Sequence, residues 1–139
     1  MIVAFIEPDK YERTEEIVGR LQDVITELVV RDGAIVFLFT NVGQFDDDCY
    51  TTVSKLKKYY PYIERHYYHS SCDYDVGYVN WMSEFYDSVH FPNKGVVISP
   101  QLRDHTMIDI CNVLVTCGAG AAVEYAIKKK KRVINLLER

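Results

Sequence analysis

Hydrophobic positions in this chain follow two rhythms. Short continuous runs, "MIVAFI" at 1–6, "AIVFLF" at 34–39, "GVVIS" at 95–99, "NVLVTC" at 112–117 and "RVINLL" at 132–137, are what strands buried on both faces of a sheet present. Other stretches space their apolar residues by three and four. Ile17, Leu21, Val24, Ile25 and Leu28 form one stripe between Tyr11 and Arg31, which predicts an amphipathic helix. Further helices are predicted from about Cys49 to Tyr60, from Pro100 to Asp109 and from Ala119 to Lys131, with another strand over "YIERHYYH" after the Pro61 break. Residues 70–94 carry Tyr74, Tyr78, Trp81, Phe85 and Tyr86 among polar positions and read as a short helix with a long functional loop.

Strands and helices therefore alternate. That pattern implies a three-layer α/β/α fold, a mainly parallel sheet of about six strands, and a single domain over 1–139. Open parallel sheets bind ligands beyond the carboxyl ends of their strands, so the loops "EPDK", "TNVGQFD", "SPQLR" and "CGAGAA" are the places to look. Each leads into a helix whose free N–H groups favour an anion.

Composition narrows the partners. A net charge of -4 with 48% hydrophobic and 26% charged residues argues against a nucleic-acid face, which needs clustered cations. The run Lys128 to Lys131 sits where a helix ends, a position that favours cations for local reasons. No apolar run approaches the roughly 20 residues of a membrane span, and no export signal opens the sequence, so a cytoplasmic protein with reduced Cys49, Cys72, Cys111 and Cys117 is expected. His66, His69 and Cys72 recur every third residue without a fourth ligand, and no metal or other cofactor is predicted.

Gly118 and Gly120 let a backbone come close to a ligand, so Gly118, Ala119, Gly120 and Ala121 form either a cradle for phosphate or ribose or simply a tight strand-to-helix turn. Glu124, one turn later, suits ribose hydroxyls, a general base or a positive charge developing on a sugar carbon; a dipole-stabilising carboxylate is the alternative. Arg103 offers two charge-assisted hydrogen bonds to phosphate or carboxylate, or a surface ion pair. In "GQFD", Gly43 shapes the loop, Phe45 covers a base or joins the core, and Asp46 fixes a ribose diol or caps the following helix together with Asp47 and Asp48. The tyrosine-rich stretch from Lys57 to Tyr78 suggests a homodimer interface or a lid.

The set Arg103-x3-Met107, Asn112-VLVT, Gly118-x-Gly120 and Glu124 resembles the Lonely Guy phosphoribohydrolases and the wider SLOG superfamily of Rossmann-like, nucleotide-binding domains. A closer resemblance is to small SLOG proteins of bacteria and their phages, carried by "GQFD", "RDHTMID" and "YAIKKKKRVINL" across most of the chain. The resemblance implies sensing or sequestration of a nucleotide or ADP-ribose-like ligand, and, in the enzyme branch, an N-glycosidase using Arg103 and Glu124 as its catalytic pair. A ligandless assembly module is the other class of function. The chain departs from both groups at "EPDK", where Glu7 and Asp9 would repel a phosphate, and at Ala121, where the enzymes place threonine.

Overall fold

A computed structural model describes residues 1–138, and it holds six strands and five helices among them. In chain order these are β1 Ile2–Phe5, α1 Glu15–Val30, β2 Val36–Phe39, α2 Gly43–Lys57, β3 Glu64–Tyr68, α3 Val76–Met82, β4 Ser88–His90, α4 Pro100–Ile110, β5 Val113–Thr116, α5 Ala121–Lys128 and β6 Arg132–Asn135. All neighbouring strands are parallel, in the order β4-β3-β2-β1-β5-β6. The chain steps outward from β1 to β4, then returns across the sheet to lay β5 on the free side of β1. The switch point of this Rossmann-like α/β sheet therefore lies between β1 and β5.

Alternation along the strands divides two cores. Val3, Phe5, Phe37, Phe39, Val113 and Val115 meet Leu21, Ile25 and Leu28 of α1 and Phe45, Cys49 and Val53 of α2. Ala4, Leu38 and Leu114, one position out of step, face Met107 and Ile108 of α4 and Ala126 of α5. Helix starts follow local chemistry. Thr14, Asp75 and Ser99 each accept the amide three residues ahead, from Ile17, Tyr78 and Leu102, all at 3.1 Å.

Two expectations need correction. "GVVIS" is not a strand: Val96, Val97 and Ile98 are exposed, and the fourth strand is Ser88–His90. Its three half-buried residues at the sheet edge carry too little apolar pattern to be read. Helix α2 begins at Gly43 rather than near Cys49, so Asp46, Asp47 and Asp48 lie inside it and none is its cap. Val42 occupies the N-cap without any side-chain bond. The cap comes from elsewhere in the chain, from Glu7.

Candidate functional site

The loop after β1 dominates the switch point. Glu7 lies against the first turn of α2, so close that a side chain at Gly43 would meet its carboxylate at 2.1 Å. Gly43 also has φ +88, so glycine is required there twice over. Burial raises the Glu7 carboxyl, while the amides of Phe45 and Asp46 favour its charged form. Glu7 thus fills the place where a helix N-terminus would greet an external anion.

Asp9 does the same at α5. Its amide donates to the Ala119 carbonyl at 3.1 Å, and its carboxylate lies 3.0 Å from where a Cβ at Gly120 would stand. A Cβ at Gly118, whose φ is +140, would come within 3.1 Å of Pro8. Asn135 clamps the same turn, accepting from Gly118 N–H at 3.0 Å and donating to its carbonyl at 2.9 Å. The glycine corner is closed under residues 8–10. Its glycines serve close packing of two loops rather than an open cradle.

Asp48 fastens this covering loop. It accepts from the Tyr11 hydroxyl at 2.8 Å, from Arg13 Nε at 3.1 Å and from Gln44 at 3.1 Å, and the Tyr11 ring meets Phe45 edge-on at 5.3 Å. Asp48→Ala is expected to cost about 1–3 kcal/mol by stranding these donors, and to expose residues 7–14 to proteolysis. Limited digestion with wild-type cutting kinetics would count against the latch.

The remaining candidates separate. Phe45 is fully buried in the first core, so its ring packs against the protein and covers no base. Asp46 is 1% exposed; its Oδ1 accepts from Thr40 N–H at 2.9 Å and Oγ–H at 3.3 Å, and its Oδ2 is buried without a partner. Burial pushes its carboxyl up to about 7. Glu124 is exposed, and its side chain makes no hydrogen bond or ion pair among the described residues. It lies two positions, about 200° of helix, from Ala126, the buried residue of α5. Ala121, at the start of that helix, is exposed too.

Arg103 is the exception. It is 6% exposed, on the side of α4 that buries Met107 and Ile108. Its one ion pair among the described residues is with the adjacent Asp104 at 3.1 Å, and burial raises that carboxyl more than the guanidinium lowers it. The charge of Arg103 reaches Tyr67 and His69 at the carboxyl end of β3, and together with burial it lowers the His69 imidazole. Arg103 and Glu124 therefore do not form a pair: one is turned into the protein, the other faces out.

Several residues at the carboxyl ends of β2 and β3 were given no ligand role by the sequence, apart from His69, weighed only as a metal ligand. Asn93, fully buried, donates to the carbonyls of Ser70 at 2.9 Å and Ser99 at 2.7 Å, tying the start of α4 to the end of β3. His69 stacks between Tyr67 at 5.4 Å and Phe91 at 5.1 Å. Asn41, in the left-handed region at φ 57, accepts from the Tyr86 hydroxyl at 3.2 Å. An asparagine two residues past a strand, a residue type that tolerates the left-handed region, is the one local signal that could have drawn attention here. His66 faces away and stacks on His90 at 5.1 Å, so it does not join His69 and Cys72. No group of three histidine, cysteine or acidic side chains is placed to hold a metal ion among the described residues.

The tyrosine-rich stretch also divides. Tyr67 and Tyr68 are core residues, whereas Tyr59, Tyr62 and Tyr74 are exposed. Among the described residues no helix is long and apolar enough to cross a membrane. No protein-family model matches the chain, and no curated protein matches it.

Proposed function

We propose that this protein binds a nucleotide or nucleotide-derived ligand, such as an ADP-ribose-like molecule, at the carboxyl end of β3, and that it senses or sequesters the ligand without cleaving it. The observation that carries the reading is Arg103: a guanidinium 6% exposed whose only carboxylate among the described residues is its own chain neighbour. A buried cation so weakly countered favours an anion with oxygens arranged for its fork of donors. The charge of Arg103 is felt at Tyr67 and His69, which stack on each other and, through His69, on Phe91, and phosphate beside an aromatic cluster is nucleotide chemistry. The resemblance to SLOG proteins points the same way. The glycine corner is not part of this site, because Asp9 and Glu7 already occupy both helix starts there. Binding is preferred to N-glycosidic cleavage because Glu124 stands apart from Arg103.

Mass spectrometry of small molecules released from the purified protein tests this directly. A nucleotide-sized ion is expected, with affinity for it reduced about 10- to 100-fold in Arg103→Gln, equivalent to one charged hydrogen bond pair. Glu124→Ala should bind as the wild type does. The reading fails if no ion is found and AMP, ADP-ribose, cyclic ADP-ribose isomers and dinucleotides leave the melting temperature unchanged.

A further inference from the structure

Arg103 does not line a second candidate site. Between the first half of α2 and α3 is a cavity of about 290 Å³, walled by Tyr50, Tyr78, Trp81, Phe85 and Tyr86, with Asp47 as its charged residue. We propose that this cavity receives a quaternary or alkylated ammonium group carried by a small molecule.

Three features carry the proposal. The first is the arrangement of the walls. Neighbouring rings stand at steep angles: Tyr78 and Trp81 at 67°, Trp81 and Phe85 at 89°, Tyr50 and Tyr86 at 58°. Walls meeting in this way enclose a rounded group from several sides, as a tetrahedral ammonium requires, and each π face it meets is electron-rich. The second is charge. Asp47 is exposed at the cavity, and no hydrogen bond or ion pair holds its carboxylate among the described residues. Among the described residues no cationic side chain lines the cavity. The nearby Arg65 lies over the Tyr50 ring, 5.5 Å from its centroid, and is itself paired with Asp87 at 3.2 Å. An anion would meet the carboxylate and the ring faces with nothing to balance them, so this cavity excludes the phosphate assigned to Arg103. The third is that the box is built in place. The Tyr86 hydroxyl is held by Asn41, the Tyr50 hydroxyl donates to the Phe85 carbonyl at 2.5 Å, and the Tyr78 hydroxyl bonds Tyr67 at 2.9 Å. Trp81 remains 59% exposed at the rim, so the box is open to an incoming group.

The cavity is small for a whole drug-sized ligand and suits one head group. The proposal does not rest on nucleotide binding, and either can fail alone.

Trp81 is the only tryptophan in the sequence, so fluorescence excited on the long-wavelength side of tyrosine absorption reports on this wall alone. Three probes are titrated: choline, the N-acetyl amide of trimethyl-lysine, and 3,3-dimethylbutan-1-ol, which copies the shape of choline without its charge. A saturable fluorescence change is expected with choline, at a half-point roughly ten-fold below that of the neutral alcohol. Asp47→Asn should raise the choline half-point about three-fold or more while leaving the melting temperature unchanged. Four results would overturn the proposal: no saturation with choline, an equal response to the uncharged alcohol, unaltered binding in the Asp47 variant, or tighter capture of the trimethyl-lysine probe. The last would make a lysine side chain of another protein the occupant.

Discussion

Phe5→Ala should lower unfolding free energy by about 3–5 kcal/mol, a large part of the ~5–15 kcal/mol available to a domain of ordinary stability. Phe5 is fully buried on the central strand, with its ring 5.8 Å from Phe37 and 5.2 Å from Phe39. Truncation removes a transfer contribution and leaves a cavity that β1, fixed by parallel pairing on both sides, cannot close. Phe5→Leu keeps most of the volume and should cost much less, about 1–2 kcal/mol. Urea midpoints at constant m-value distinguish the two. Equal losses in both variants would mean that the aromatic layer is not the support this packing implies.

The second large effect concerns pH. Asp46 has a folded pKa of about 7 against an ordinary value of 3.8. Between those values the folded protein holds a proton that the unfolded chain has released, so this group's contribution is greatest below pH 4 and is lost as pH rises through 7. At about 1.4 kcal/mol per pKa unit the loss reaches on the order of 4 kcal/mol. Asp46→Asn removes the ionisation and retains an acceptor for Thr40, at the cost of one unpaired amide donor near the orphan Oδ2, about 1–3 kcal/mol. The variant should therefore be the less stable protein at pH 4.5 and the more stable one at pH 8. Comparing the two proteins at each pH cancels the groups that act oppositely: His69 and His90, whose lowered pKa values make stability rise with pH up to about 6.5, and Asp87, whose lowered pKa makes stability fall on acidification. A stability difference that stays constant from pH 4.5 to 8 would show that Asp46 does not titrate in this window.

How far the sequence could be read depended on where each interaction partner lay. Strands β1, β2 and β5 were legible because burial on both faces leaves an unbroken apolar run. Strand β4 was not: its three residues are half-buried, and the apolar "VVI" that begins six positions past the strand is exposed. The start of α4 was legible from Ser99-Pro100, since cap and first-turn proline act locally. The start of α2 was not, because Glu7, far off in the chain, stands where a local cap would, and Asp46 was left to bond Thr40 instead. The glycine corner could be read either as an open cradle or as a strand-to-helix turn, and the covering that closes it comes from residues more than a hundred positions away. Arg103 was singled out for its chemistry, and the fold buries it, while Asn93 carried no pattern of its own and His69 stood out only in a His-Cys spacing that the fold does not bring together.

The sheet order has a kinetic consequence. Strands β1 to β4 assemble between neighbours in the chain, with ordinary crossovers, but the junction of β1 with β5 joins Ile2 to Asn112 and Ile6 to Thr116, each separated by 110 positions. Loop closure over that distance is the slow, entropically opposed event. Folding therefore has a natural division of labour: a four-stranded half can organise early, and the crevice between β1 and β5 comes into being only when the far end of the chain docks.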